Sequence, residues 1–250
     1  MMERLSSRQV SIRRAEELAG KASEYLEAKK SIPRGLEMQQ AFQNSKQKLL
    51  EHFRADEDDW NNWKWQLDHI INDVETLGII LNLSDEDKHD LSVLSKKYRW
   101  AVSPYYASLM DPDDPFDPVR LMGLPSMAEL VDTSGEMDPM GEEFTNPAGA
   151  ITRRYPDRLI INVTNQCANY CRFCQRRRNI GQVDRHKSEK VLQESIDYIK
   201  ENPEIRDVLI TGGDSLMLDD NMLEWIISRV RAIPHVEIIR LGTRSIVTLP

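Results

Sequence analysis

Apolar and polar positions alternate with two different textures along the chain. Over residues 6–30 the chain is rich in Glu, Lys, Arg and Ala, and Leu18, Ala22, Tyr25 and Leu26 recur at helical spacing. Pro33 and Gly35 end that predicted helix, and a second is predicted over residues 36–53. Asp58 and Asp59 are candidate caps for a third helix, with Trp60, Trp63, Leu67, Ile70, Ile71 and Val74 on one face. The tryptophans read as packing anchors rather than a ligand box. A fourth helix is predicted from Ser84, as cap, to Trp100.

Between residues 104 and 147 the pattern is broken by Pro112, Pro115, Pro118, Pro125 and Pro139, with few helical signals. A plain linker is one reading. Tyr105, Tyr106, Leu109, Met110 and Phe116 favour an ordered arm, because linkers seldom carry so many large apolar groups.

After Tyr155 the texture is α/β. Strands are predicted at 159–163, 207–211 and 236–241, and helices at 188–201 and 220–232, the second with Leu223, Ile226 and Ile227 inward. Strand–helix–strand–helix–strand at this spacing predicts parallel βα units, the first part of a partial (βα) barrel behind a helical N-terminal region. The division expected is 1–103 helical, 104–150 arm or linker, and 151–250 α/β.

Composition adds limits. The chain has 250 residues, a formal net charge of −8 and 40% hydrophobic residues, enough for one large or two smaller domains. No apolar run is long enough to span a bilayer. The N-terminus, with Glu3, Arg4 and Arg8, shows no signal-peptide core, so a soluble cytoplasmic protein with no membrane partner is expected. The acidic balance argues against a nucleic-acid partner, despite the local run Arg176, Arg177, Arg178.

The chain has three cysteines, Cys167, Cys171 and Cys174, and all fall in one run. Thiolates are the ligands iron–sulfur clusters prefer. Three of them leave one iron of a four-iron cubane without a protein ligand, open to a small molecule. A disulfide would leave one cysteine over, and a zinc site would need a fourth ligand, for which His186 is the nearest downstream. Gly212-Gly213-Asp214 follows the second predicted strand and Gly242-Thr243-Arg244 the third. With the cysteine loop, all three motifs sit at C-terminal strand ends, where parallel sheets build their sites. Asp214 can accept hydrogen bonds from an amine, beside two glycines that permit close approach. Arg154, Tyr155 and Arg158 lie just before the first strand. They suit a phosphate and a planar ring, or form a solvated basic turn. A guanidinium from the Arg176–Arg178 run is placed to clamp a carboxylate.

The C-x3-C-x2-C spacing, with Phe173 before the last cysteine, resembles the radical S-adenosylmethionine (SAM) superfamily. There the open iron chelates SAM, and one electron cleaves it to a 5′-deoxyadenosyl radical. The runs 152–158, 175–178 and 207–214, with Trp60-Asn-Asn-Trp-Lys-Trp-Gln66, Ser103-Pro-Tyr-Tyr106 and Asp111-Pro-Asp-Asp-Pro115, are similar to the lysine 2,3-aminomutase family over about residues 58–250. The long N-terminal extension, with Thr164-Asn-Gln166 and Gln175, looks more like its glutamate 2,3-aminomutase branch. Phe173 stands where the family often has histidine, and Ser215 and Ser245-Ile246 where alanine and Thr-Pro are more usual.

The resemblance implies a radical SAM partial (βα) barrel with a [4Fe-4S] cluster on Cys167, Cys171 and Cys174. It implies S-adenosyl-L-methionine near Phe173, Gly212, Gly213 and Asp214, the last on the methionine amino group. It implies pyridoxal 5′-phosphate (PLP) near Arg154, Tyr155 and Arg158, and Arg176 as the catalytic residue on the substrate carboxylate. The expected activity moves an α-amino group to the β-carbon, with glutamate favoured and lysine the alternative. A non-catalytic, cluster-binding assembly subunit is a further alternative. A small amino acid substrate, a reducing donor such as a flavodoxin or ferredoxin, and a homo-oligomer are expected. Family members continue past the position of Pro250 with more strands and the PLP-binding lysine, so the chain is expected to be a portion of a longer enzyme.

Overall fold

The structure, a computed structural model, describes residues 6–33 and 35–250. Glu3 and Arg4 lie outside the described residues. Two compact units divide at Gln40 and Ala41, so the expected divisions near 103 and 150 both fall inside the second.

The first unit holds α1 (Ser7–Lys21) and α2 (Ser23–Ala28). A capping box starts α1: the Ser6 hydroxyl accepts from the Gln9 N–H while the Gln9 side chain accepts from the Ser6 N–H. The single helix expected over 6–30 is interrupted at Ala22. No residue of either helix is buried, and Leu18, Tyr25 and Leu26 are exposed.

The second unit begins within α3 (Gln39–Phe53), three residues later than expected. The third predicted helix is overturned. In its place stand α4 (Glu57–Trp60), α5 (Trp63–Asp68) and α6 (Val74–Ile80). Asp56, Asn62 and Asp73 each turn a side-chain oxygen onto main-chain N–H groups and restart the helix. Ile71 instead pairs with Val102 as a β-bridge. Trp60 is buried, whereas Trp63 is half exposed. The helix α7 (Asp85–Lys97) is capped by Ser84 as expected.

The proline-rich stretch is ordered and more helical than expected: α8 (Pro104–Ser108), α9 (Pro118–Gly123), α10 (Ala128–Val131) and a 3-10 turn at Glu142–Thr145. Tyr106 and Met110 enter the core of the helical part with Leu49, Trp60, Leu77 and Val102. Phe116 does not; it is exposed.

The α/β part carries β1 (Ile151–Thr152), β2 (Arg158–Thr164), α11 (Arg177–Ile180), α12 (Glu189–Glu201), β3 (Asp207–Gly212), α13 (Asp220–Arg231), β4 (Ile238–Leu241) and α14 (Ser245–Thr248). Sheet order is β1-β2-β3-β4, with β2, β3 and β4 parallel. The unforeseen β1 runs antiparallel to β2 and is too short to show a period. Leu192, Ile196 and Ile199 of α12 and Ile226 and Val230 of α13 bury against Leu159, Ile161, Val208 and Ile210. That apolar face is the one the 3.6-residue period predicts. Leu223 and Ile227 pack at its margin.

Candidate functional site

The C-terminal ends of the parallel strands meet at a cavity of about 440 Å³, lined by Cys167, Cys171, Cys174, Gly213, Asp214 and Arg244 among others. The order of the strands produces this convergence, since each motif follows its own strand onto one edge.

The loop after β2 is held on three sides. The Tyr170 N–H donates to the Ala101 carbonyl at 3.1 Å, and the Arg172 N–H to the Met122 carbonyl at 2.9 Å. Asn169 forms a β-bridge with Val102. Gly212 and Gly213 let β3 approach from the other side. Gly212 has φ of 136°, and a Cβ there would stand 2.5 Å from the Thr164 carbonyl oxygen. A Cβ on Gly213 would stand 2.3 Å from the Gln166 carbonyl oxygen. The Gly213 and Asp214 N–H groups donate to those same carbonyls, at 2.6 and 2.8 Å. The glycines therefore serve loop-on-loop packing beneath the cavity, a role that their place after a strand did not announce.

All three cysteines are free thiols. Burial pushes the Cys167 thiol well above its ordinary pKa, with Asp214 and the two other cysteines adding to the shift. Loading a metal group there must displace a proton. Among the described residues, no three His, Cys, Asp or Glu side chains converge on one metal ion. His186 is turned away from the cysteines: its Nδ1 pairs with the Thr164 hydroxyl at 3.0 Å and it lines a separate cavity. The fourth ligand a zinc site would take is therefore not brought to the cysteines. A cubane spreads its thiolates over different irons and needs no common point. Asn169 adds an independent sign of a ligand. Its side chain is buried at the cavity beside the Tyr106 hydroxyl, which donates to the Val119 carbonyl instead, and neither its Oδ1 nor its Nδ2 makes a hydrogen bond of good geometry. A polar group lodged among the cysteines would satisfy it, so the residues present fit a cluster with a polar co-ligand.

Asp214 is 5% exposed. Its Oδ2 accepts from the Thr243 hydroxyl at 2.9 Å and from the N–H groups of Arg244 and Ser245 at 2.7 and 3.0 Å. Its Oδ1 accepts from the Leu216 N–H at 3.0 Å. One acceptor position on Oδ1 is left for a ligand. Phe173 is 60% exposed at the rim of the cavity, with the Arg244 guanidinium 5.2 Å from its ring centre.

The three consecutive arginines have separate tasks. Arg176 lines the cavity and forms a two-pronged pair with Glu142, at 2.9 and 2.8 Å. Arg177 donates to the Cys171 carbonyl at 2.6 Å and holds the cysteine loop. Arg178 pairs with Asp138 at 3.3 Å. Sequence reasoning missed Glu142, Arg244 and Asn169. Arg244 was already placed at a strand end, and Asn169 lies inside the cysteine run. Only Glu142, 34 residues before its partner, carried no signal.

Arg154, Tyr155 and Arg158 are not brought to this cavity. They are exposed at the opposite end of β2, with Arg158 paired to Asp157 at 3.1 Å and 5.3 Å from the Tyr155 ring centre. A seven-residue strand, about 20 Å long, separates them from Cys167.

The Radical SAM superfamily matches residues 161–250. The chain is 57% identical over 241 residues to a protein of Clostridioides difficile (strain 630) named glutamate 2,3-aminomutase, covering 96% of this chain and 57% of that protein. It is 44% identical over 195 residues to the L-lysine 2,3-aminomutase of Bacillus subtilis (strain 168), covering 78% of this chain and 41% of that protein. Against the L-lysine 2,3-aminomutase of Clostridium subterminale it is 44% identical over 193 residues, 77% of this chain and 46% of that protein. The chain spans about half the length of these curated relatives. A three-cysteine loop on the first parallel strand, a glycine loop packed beneath it, and identity that extends through the helical region have one common source: the chain belongs to the radical SAM superfamily and, within it, to the lysine 2,3-aminomutase family.

Proposed function

We propose that this chain belongs to a radical SAM, PLP-dependent amino acid 2,3-aminomutase, an isomerase that converts glutamate to β-glutamate. The observation that carries the reading is the convergence of three free thiols, an unpartnered buried amide and a glycine loop on one cavity. The glutamate preference rests on 57% identity over 96% of the chain, against 44% over 78% for a lysine-acting relative.

Cys167, Cys171 and Cys174 hold the [4Fe-4S] cluster. Bound there, the cluster would supply the electron for reductive cleavage of SAM. Asp214 offers its remaining Oδ1 position to the ammonium of the methionine moiety, and Phe173 lies beside the adenine. Arg176 keeps Nε and one Nη on Glu142 and presents its other Nη edge to the substrate carboxylate. PLP is the second cofactor of the reading, with Arg154, Tyr155 and Arg158 as its phosphate and ring contacts. Those three do not face the cysteine cavity, so the chain's own residues define no path between the two cofactors. A flavodoxin or ferredoxin as donor, a homo-oligomer and the cytoplasm complete the proposal. Among the described residues no helix is long and apolar enough to cross a membrane.

The test is direct. Anaerobically reconstituted full-length enzyme, with SAM, PLP and a reductant, is offered single amino acids, and any β-amino acid is identified. β-Glutamate from glutamate supports the reading. β-Lysine from lysine with none from glutamate reassigns the substrate, and no β-amino acid from any candidate overturns the activity.

A further inference from the structure

We propose that Arg244 is the cation that sets the reduction potential of the cluster, by donating a hydrogen bond to the Cys171 thiolate, and that Asp214 is the residue that positions it. The inference rests on the cluster reading above.

Four observations meet at this side chain. The Arg244 Nη1 is hydrogen-bonded to the Cys171 Sγ. The same guanidinium lies 5.2 Å from the Phe173 ring centre, within the range of a cation–π contact. The Arg244 main chain is pinned at both ends of its own residue. Its N–H donates to Asp214 Oδ2 at 2.7 Å, and its carbonyl accepts from the Thr248 hydroxyl at 3.1 Å. Finally, Arg244 has no carboxylate within ion-pair distance among the described residues. Of the other arginines around the loop, Arg99 pairs with Asp184, Arg172 with Glu129, Arg176 with Glu142 and Arg178 with Asp138, while Arg177, also without an ion pair among the described residues, turns to the Cys171 carbonyl rather than to a sulfur.

A half-buried guanidinium without a counter-ion is costly unless an anion completes it. Here its partner is the Cys171 sulfur, which carries negative charge once it ligates iron. Hydrogen bonds to ligand sulfur and nearby positive charge both stabilise the reduced cluster, which carries one more electron than the oxidised one. The potential therefore rises. Asp214 acts at one remove. It accepts from the Arg244 and Ser245 N–H groups and the Thr243 hydroxyl, so the loop after β4 is held against the loop after β3 with Arg244 aimed at the cysteines.

The test compares wild type with Arg244→Met, Arg244→Lys and Thr243→Val in reconstituted full-length protein, without SAM or substrate. Iron and sulfide content, visible absorption and a dithionite titration followed by paramagnetic resonance are measured on each. Iron content is expected to match wild type. Arg244→Met is expected to lower the reduced-to-oxidised ratio at fixed potential about tenfold, which is a midpoint about 59 mV more negative for a one-electron couple. Arg244→Lys, which keeps the charge and loses the fork, falls between. Thr243→Val, which removes one hydrogen bond to Asp214 and leaves Arg244 itself intact, shifts the midpoint in the same direction by less.

An unchanged midpoint in Arg244→Met with full iron overturns the proposal, as does an unchanged midpoint in Arg244→Lys if the methionine variant fails to fold. An unchanged midpoint, with SAM binding weakened in a separate titration of the same variants, assigns Arg244 to the cofactor instead and also overturns it. Absence of a cluster from wild type overturns the underlying function rather than this role.

Discussion

At the scale of single residues, charge around the cysteine loop is divided by partner, and each partner predicts a different phenotype. Cys171→Ala is expected to abolish the visible absorption of the cluster and its reduced-state paramagnetic signal, because two thiolates cannot hold a cubane. Stoichiometric zinc without iron in anaerobically purified wild type would sink that assignment. Arg176→Lys keeps the charge and loses the fork. It is expected to lower kcat/KM by a factor corresponding to about 1.5–3 kcal/mol, the worth of a charged hydrogen bond, with iron content intact. Arg177→Lys is expected to do the reverse, since Arg177 holds the Cys171 carbonyl: iron retention falls and the KM of what remains is little changed. Matching profiles at the two positions would refute this division. Glu142→Gln leaves the Arg176 charge without its partner. The cost is expected to be about 2 kcal/mol, less than the penalty for a fully buried pair because Arg176 keeps 23% of its side chain in solvent.

At the scale of elements, the glycine pair is where local conformation and packing are hardest to separate, and a paired substitution separates them. A Cβ added to Gly78 in α6 would meet nothing within 4 Å, whereas a Cβ on Gly213 would strike the Gln166 carbonyl oxygen at 2.3 Å. Gly78→Ala is therefore expected to stabilise the protein by about 0.5–1 kcal/mol through helix propensity. Gly213→Ala is expected to destabilise it by about 1–3 kcal/mol and to lower iron content by pushing the cysteine loop. Urea unfolding and iron analysis read both; a neutral Gly213→Ala would show that the loops are not in contact. The sequence made the βα elements legible because their periods are long and their faces one-sided, as with Ile226 and Val230 of α13. Residues 58–74 read as one helix because apolar period continues across Asn62 and Asp73, whose side chains stop one helix and start the next. A two-residue strand such as β1 has no period to read. The cysteines announced their cavity by spacing, whereas Glu142 became visible only once the chain folded Arg176 onto it.

At the scale of the whole molecule, the helical part is support for the site rather than an appendage to it. Val102 pairs with both Ile71 and Asn169, and the Ser103 hydroxyl donates to the Thr248 carbonyl, so one short extended segment ties the connection between α5 and α6, α8, the cysteine loop and α14 together. Ala41–Pro250 contains both large apolar cores, one under the sheet and one among the helices. By contrast, neither α1 nor α2 buries a single side chain. Removing residues 1–38 is therefore expected to leave the thermal midpoint within about 2–4 °C of wild type, a shift of no more than about 1 kcal/mol for a chain of this size. Iron content after reconstitution is expected to be unchanged, because no residue of the cysteine cavity precedes Asn165. Scanning calorimetry and iron analysis on the shortened protein decide the matter. A larger fall in the midpoint would show that the first two helices contribute to stability despite burying no side chain. A loss of iron at an unchanged midpoint would be the more consequential result, since it would make the N-terminal helices part of what holds the cysteine loop in place.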